Sequence, residues 1–319
     1  MENEAVTIER IATVSEQVME ALESTVVGQK KNIRLLWASF LIGGHTLLEG
    51  VPGLGKTMMV RALSQVVDAS FARVQFTPDL MPADMTGTKV FDLRSGQFTF
   101  KKGPIFVNLL LADEINRTPP KTQAALLEAM EEKQVTIDGE SMPLPSPFFV
   151  VATQNPIEYE GTYPLPEAQL DRFAVKLIVD YPEEDQEVAI LQEHLITKGR
   201  EEKLIPLVNA EEILSFRKEI EKITVEESVV RYLAKIIRST RNHPRVMLGA
   251  SPRAGLGLLS LSRALAAMNG RSFVTPDDIK FATQPALRHR IAISPDVELE
   301  GLKTDDVIEE IVQRIEIPR

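Results

Sequence analysis

A glycine-rich segment that ends in lysine and threonine, Gly-Val-Pro-Gly-Leu-Gly-Lys-Thr, runs from Gly50 to Thr57. The apolar pair Leu47-Leu48 precedes it and a stretch with helical apolar spacing follows it. This pattern predicts a strand, a loop and a helix in succession. In such a loop the backbone N–H groups point inward, and the helix N-terminus adds a dipole that favours an anion. The segment therefore predicts a nucleoside triphosphate site, formed by Gly50, Pro52, Gly53, Leu54, Gly55, Lys56, Thr57 and Met58.

Two carboxylates follow an apolar run at Ile105–Ala112. The run is too uniformly apolar for an edge strand and predicts a strand in the middle of a parallel sheet. Asp113 and Glu114 would then stand at the carboxyl end of this strand, close to a triphosphate that Lys56 binds through its β- and γ-phosphates. We expect Asp113 and the Thr57 hydroxyl to hold Mg²⁺, and Glu114 to orient or deprotonate the attacking water. The acidic pair favours hydrolysis over binding alone.

One amide and three arginines extend this site. Asn155 follows the predicted strand Phe148–Thr153, and we expect its side chain to hydrogen-bond the attacking water. Arg172 precedes the last predicted strand of the sheet and could reach the triphosphate of a neighbouring subunit, a role for which Arg117 competes. Arg253 stands in the first turn of a predicted helix, where a cation opposes the helix dipole. A facing phosphate would offset that cost, so we expect Arg253 to contact the nucleotide.

Composition limits the class of protein. The 319 residues, 44% hydrophobic and 26% charged, predict an ordinary globular chain of two domains. The absence of cysteine excludes disulfides, thiolate metal sites and cysteine nucleophiles. The net charge is −10 and neither side of Pro182 is basic, which argues against a nucleic-acid partner. The N-terminus is too acidic and polar for a signal peptide, and no apolar run approaches the ~18 residues of a membrane span, so we expect a cytoplasmic protein.

Strand and helix patterns divide the chain. Up to Pro182 they alternate, which predicts an α/β domain at residues 1–182 with a mostly parallel sheet. Two β-hairpins are predicted within it, one from Thr88–Asp92 and Gln97–Lys101 and the other at Val135–Glu140 with an Asp-Gly turn. Beyond Pro182 the strand patterns stop, and six helical segments predict an all-helical domain at 183–319.

Taken in order, the motifs resemble those of AAA+ ATPases. They are Val26-Val-Gly-Gln29, Gly50–Thr57, Leu111–Glu114, Thr153–Asn155, Leu170–Phe173 and Ser251–Arg253. More narrowly, the segments Asn116–Glu132 and Ala152–Pro156 are similar to the MoxR family. This resemblance covers nearly the whole chain. It implies an α/β/α core with a five-stranded parallel sheet of order 5-1-4-3-2, β-hairpin inserts and a helical lid.

The resemblance also implies a way of working. Members of the family bind ATP and Mg²⁺ and form rings, commonly hexamers. They act as chaperone-like factors on partner proteins that often carry a von Willebrand factor A domain. By the same resemblance Val26, Val27 and Gln29 would line the adenine pocket.

The sequence also bears on three other classes of protein. A P-loop GTPase would carry Asn-Lys-x-Asp for guanine, and that tetrapeptide does not occur in the sequence. A scaffold in which the nucleotide only holds an assembly together would not need Glu114 and Asn155. A magnesium-chelatase-like motor subunit shares hairpin inserts of this kind and stays open as an alternative.

Overall fold

The computed structural model describes residues 7–94, 96–156, 161–197 and 203–318. Its strands are β1 (His45–Glu49), β2 (Phe71–Gln75), β3 (Gly87–Asp92), β4 (Gln97–Lys102), β5 (Leu109–Asp113), β6 (Gln134–Ile137), β7 (Glu140–Pro143), β8 (Phe149–Gln154), β9 (Phe173–Ile178), β10 (Val246–Leu248) and β11 (Ala292–Ile293). Its α-helices are α1 (Ile8–Thr25), α2 (Lys30–Ile42), α3 (Lys56–Val66), α4 (Pro82–Thr86), α5 (Pro120–Glu132), α6 (Glu167–Leu170), α7 (Glu184–Thr197), α8 (Ala210–Glu221), α9 (Glu227–Asn242), α10 (Pro252–Met268), α11 (Pro276–Leu287), α12 (Pro295–Leu299) and α13 (Thr304–Gln313).

A parallel sheet of five strands, in the order β2-β5-β8-β1-β9, forms the centre of the fold. Counted along the chain, these strands have the order 5-1-4-3-2, so the expected α/β topology is confirmed. The register pairs Val151 of β8 with Thr46 of β1 on one side and with Leu111 of β5 on the other. The carboxyl ends of these three parallel strands therefore meet at one edge of the sheet, which is where ligands bind in open α/β folds.

The central strand β5 is shorter than the apolar run that predicted it, because it begins at Leu109. Ile105 is fully buried but lies in a turn outside the sheet. Asn108 fixes the chain before the strand, because its Nδ2 donates to the Pro147 carbonyl at 3.0 Å and its Oδ1 accepts from the Ser70 hydroxyl at 2.8 Å. Residues buried in a turn and residues buried in a strand are both apolar, so the sequence pattern did not show where the strand begins.

Both predicted hairpins are present. β3 pairs with β4 and β6 pairs with β7, each antiparallel. The turn of the second hairpin has positive φ at Asp138 (50°) and at Gly139 (82°), as a two-residue type I′ turn requires. Lys89 on the first hairpin lies 3.4 Å from Glu140 on the second, so the two hairpins are neighbours.

The helical segment after β9 also contains a small ribbon, because Val246 of β10 pairs antiparallel with Ile293 of β11. Strands of two or three residues are too short to show an alternating pattern, which explains why the sequence predicted helices alone. Helices α1 and α2 pack against α10, and one hydrophobic core extends from Ile11 through Trp37 to Leu261. The domain boundary near residue 182 therefore stays a prediction, since the described core continues across it. No helix in the described ranges is both long and apolar enough to cross a membrane.

Candidate nucleotide site

The loop between β1 and α3 has the geometry of an anion cradle. Gly53 and Gly55 have φ of 88° and 76°, a region that glycine enters without steric cost. At Gly50 a side chain would collide with the carbonyl oxygen of Val179, so the loop passes close to the end of β9. Gly55 is the N-cap of α3 and no side chain caps this helix. Its first N–H groups are thus left for an anion.

The Lys56 side chain lies between this loop and the acidic pair. Its Nζ donates to the carbonyl oxygen of Gly50. Burial lowers the pKa of Lys56, and the nearby carboxylates of Asp113, Glu114 and Glu49 partly offset that shift. The ammonium group therefore faces both the loop and the acids, which is the position from which it could bind phosphate oxygens.

One buried hydroxyl, that of Thr153 on β8, holds both acids in place. It donates to Asp113 Oδ1 at 2.6 Å and accepts from the backbone N–H of Glu114 at 2.8 Å. Glu114 has φ 58° and ψ 50°, a left-handed conformation that costs a non-glycine residue roughly 1–3 kcal/mol and is concentrated at functional sites. Sequence analysis included Thr153 in a motif but gave it no role, because the role depends on the pairing of β8 with β5.

Two side chains of β2 bind the acids, and the sequence analysis missed both. Arg73 donates to Asp113 Oδ2 from Nε at 3.0 Å and from a terminal nitrogen at 2.6 Å. Gln75, two residues further along the same face, donates to Glu114 Oε2 at 2.6 Å. Arg117 donates to that same oxygen at 2.9 Å. Strand order combined with the alternation of side chains along β2 could have identified Arg73 and Gln75. In this conformation both bonds engage Glu114 Oε2, so losing one of them would free a lone pair of that oxygen for water.

The residues expected to hold Mg²⁺ fit that ion. Asp113 and Thr57 offer oxygen atoms, which are the donors that Mg²⁺ prefers. Each Asp113 oxygen already accepts hydrogen bonds, but a carboxylate has about four lone-pair sites and can also bind a water of the ion. Among the described residues no cluster of three or more His, Asp or Glu forms a separate metal site. Mg²⁺ is commonly held through one or two carboxylates, water molecules and phosphates.

Asn155 lies at the same edge of the sheet. It is buried and stands one residue beyond the end of β8, beside the strand that carries the acids. The preceding residue, Gln154, accepts a hydrogen bond from the Gly50 N–H at 3.3 Å, so the end of β8 touches the start of the phosphate loop. The structure thus brings the predicted amide to the expected edge.

A cavity of about 560 Å³ lies between the end of α1, the phosphate loop and α7. Its volume and its lining of both apolar and polar side chains suit an adenine ring with its ribose. Its lining includes the expected residues Val26, Val27, Gln29, Pro52, Gly53, Leu54, Gly55 and Met58. Helix α7 adds a wall that the sequence did not assign, made of Glu187, Ile190, Leu191 and His194.

Arg172 and Arg253 lie elsewhere. Phe173, the residue after Arg172, pairs with His45 at the start of β1, whereas the phosphate loop follows the end of that strand. Arg172 is therefore at the amino edge of the sheet, a strand length of roughly 13 Å from the loop edge. Both arginines contact one carboxylate, that of Glu131, at 2.9 Å for Arg172 and 3.6 Å for Arg253. The structure therefore places Arg253 beside Arg172, and its contact with a nucleotide stays a prediction.

Comparison with known proteins agrees with this site. Residues 45–175 match the sequence model of the ATPase family associated with various cellular activities (AAA), and residues 238–311 match that of the AAA lid domain. The chain is 45% identical to the uncharacterised protein YeaC of Bacillus subtilis, over 95% of this chain and 94% of YeaC. It is 38% identical to Chaperone MoxR1 of Mycobacterium tuberculosis, over 95% of this chain and 82% of that protein.

A solved structure agrees as well. The crystal structure of an ATPase candidate from Cytophaga hutchinsonii superposes with a TM-score of 0.90 at 40% identity, covering 98% of this chain and 97% of that one. The sheet order, the phosphate loop with its acidic pair, and these similarities agree with one another. The chain belongs to the MoxR family of AAA+ ATPases.

Proposed function

We propose that this ATPase is a Mg²⁺-dependent motor that assembles from copies of itself into a ring of six and remodels or matures a partner protein. The observation that carries this proposal is the division of the triphosphate site. The phosphate loop and the acids Asp113 and Glu114 lie at one edge of the sheet, whereas Arg172 and Arg253 lie at the other. Each copy would thus give its arginines to the nucleotide of the next, and a head-to-tail contact forms a ring when the rotation from copy to copy closes.

Each residue at the loop edge has a distinct task in hydrolysis. The loop N–H groups and Lys56 bind the phosphates, and Asp113 with Thr57 holds Mg²⁺. The ion, when bound, neutralises phosphate charge that develops during the reaction. Glu114 takes a proton from the attacking water, and Asn155 orients that water.

The arginines would complete the site from the neighbouring copy. Arg117 contacts Glu114 of its own chain, which favours Arg172 as the arginine that acts between subunits. Arg253 lies beside Arg172 on the same carboxylate, so we propose that it acts from the neighbouring copy as well. A guanidinium group supplied in this way can raise the rate ~10³–10⁵-fold.

The remodelling activity is inferred from the family. The relative in Mycobacterium tuberculosis is named a chaperone, and we extend that role to this chain. We propose that the partner carries a von Willebrand factor A domain, that it is not a nucleic acid, and that both proteins act in the cytoplasm.

Capture of the partner tests this proposal. Glu114→Gln should bind ATP, hydrolyse it slowly and stay in the engaged state, so a pull-down with ATP should enrich one partner. Lys56→Ala, which should not bind ATP, is the matched control and should not enrich it. Capture that is equal for both variants, or a Glu114→Gln variant with normal turnover, would contradict the proposed cycle.

Two alternatives have distinct outcomes in the same experiments. The two adjacent hairpins are also consistent with a magnesium-chelatase-like subunit. Co-purification with a porphyrin-binding subunit would favour this alternative. A nucleotide-dependent scaffold would show ATP binding and assembly with turnover at zero within error.

A further inference from the structure

Arg172 and Arg253 come from distant parts of the chain and meet at one carboxylate. Glu131 Oε2 lies 2.9 Å from a terminal nitrogen of Arg172, and Glu131 Oε1 lies 3.6 Å from a terminal nitrogen of Arg253. We infer that Glu131 is a positioning residue, which holds the two arginines as one pair for the triphosphate of an adjacent copy. This inference rests on the proposed sharing of the site between subunits.

The charges explain why such a residue is needed. Two guanidinium groups side by side repel each other, and without an anion between them they would move apart. The two arginines carry a charge of +2, and the carboxylate of Glu131 lowers the net charge of the three side chains to +1. Each of its oxygens faces one arginine, while a guanidinium has five N–H donors. Both arginines therefore keep donors for phosphate oxygens while their positions stay fixed.

The backbone that carries Glu131 is held firmly against the sheet. Glu131 lies in the last turn of α5, and the carbonyl of its neighbour Met130 is 3.2 Å from Nε2 of the buried His45. His45 Nδ1 accepts from the Val150 N–H at 2.9 Å, so the ring proton must lie on Nε2 and be donated to Met130. Burial lowers the pKa of His45 to about 4, so this neutral link persists at physiological pH.

The two arginines are anchored independently of each other. Asp171, next to Arg172, is bound by the buried Arg290, whose Nε lies 2.8 Å from the Asp171 carboxylate. Arg253 is in the first turn of α10, where the Ser251 hydroxyl accepts from the Ala254 N–H at 3.1 Å. The side chains of Arg172, Glu131 and Arg253 are 28%, 39% and 54% exposed, so the group can meet a ligand carried by another molecule.

A purely structural role for Glu131 is the competing explanation. Ion pairs this exposed contribute little to the free energy of unfolding. Glu131→Gln should therefore leave the melting temperature nearly unchanged. Glu132→Gln is the matched control, because it removes the same charge from the next position of the same helix and Glu132 is also exposed.

The first measurement is steady-state ATP hydrolysis by both variants. Glu131→Gln should lower kcat by about tenfold or more while KM for ATP changes less than about threefold, because positioning acts on the transition state. Glu132→Gln should match the unsubstituted protein. Equal kcat for the two variants, or a loss in Glu131→Gln that follows a lower melting temperature, would overturn the inference.

The second measurement is mixing, which locates the defect on one side of the subunit contact. Glu131→Gln subunits retain their own phosphate loop, so mixing them with Glu114→Gln subunits, whose arginines are intact, should restore activity. Mixing them with Arg172→Ala subunits should restore none, because both lack a working arginine pair. Restoration by Arg172→Ala, or none by Glu114→Gln, would contradict a positioning role.

A reference mixture separates this inference from the proposed function. Arg172→Ala mixed with Glu114→Gln should also recover activity. If that mixture stays inactive, the sharing of the site between subunits is wrong. If it recovers while Glu131→Gln alone is fully active, only the role of Glu131 is wrong.

Discussion

The hydroxyl of Thr153 donates a 2.6 Å hydrogen bond to the carboxylate of Asp113. The same hydroxyl accepts from the N–H of Glu114, so one atom sets the positions of the residue that would hold Mg²⁺ and the residue that would activate water. Thr153 is fully buried. The positions of Asp113 and Glu114 therefore depend on a threonine that need not contact the nucleotide.

Thr153→Val tests this dependence, because valine keeps the shape and removes the hydroxyl. The change leaves a buried N–H and a buried carboxylate oxygen short of a partner, which should cost about 1–3 kcal/mol of unfolding free energy. We expect kcat for ATP to fall at least about tenfold, with a smaller change in nucleotide affinity. Thr153→Ser should recover most of the activity. A Thr153→Val variant with normal kcat would show that the hydroxyl does not position the acids.

Gln75 and Arg117 both donate to Glu114 Oε2, and each such bond occupies a lone pair that could accept a proton from water. Gln75→Ala removes one of these bonds. We expect ATP turnover without a partner to rise about twofold to fivefold, which corresponds to ~0.4–1 kcal/mol. Gln97→Ala, at an exposed position on β4, is the control and should change nothing. A fall in turnover would mean that Gln75 supports the active conformation instead.

The buried histidines predict a loss of stability in acid. Burial lowers the pKa of His45 from 6.5 to about 4, and the pKa of His289 is also lowered by burial. Between these values the unfolded chain binds protons that the folded chain does not, so stability rises with pH. Above about pH 6.5 the neutral His45 should therefore contribute fully to the free energy of unfolding. As the pH falls to about 4, ~3 kcal/mol of this free energy should be lost. Denaturant unfolding from pH 7.5 to 4.5 measures this.

His45→Gln provides the comparison for that titration. Glutamine retains a donor and an acceptor but does not take up a proton, so its unfolding free energy should depend less steeply on pH. A variant that loses stability in acid as steeply as the unsubstituted protein would assign the effect to other groups.

Sequence alone predicted the residues that belong to one strand end or one loop. The phosphate loop, the acids Asp113 and Glu114, and Asn155 follow from local patterns, since a strand followed by a polar residue fixes which edge that residue occupies. The order of the strands came from the resemblance to a family, and the structure confirms it. Local patterns also gave both hairpins, the second through an Asp-Gly turn that allows few alternatives.

Contacts between strands and between distant segments were not predictable in this way. Arg73 and Gln75 reach the acids only because β2 pairs with β5 in one particular register. Arg253 begins a helix that was predicted correctly, yet its partner, Glu131, depends on how the lid packs against the rest of the chain. Helical periodicity shows which face of a helix is buried but not what covers it.

The central claim is that one triphosphate site is built from two copies of the chain, and a mixture of two inactive variants tests it most directly. Lys56→Ala should lose nucleotide binding but keep Arg172, whereas Arg172→Ala should bind ATP but lose turnover. Steady-state ATP hydrolysis is measured as one variant is titrated into the other at constant total protein. The account predicts activity in the mixture well above that of either variant alone, highest near equal proportions. Activity that never exceeds the sum of the two separate variants would contradict it.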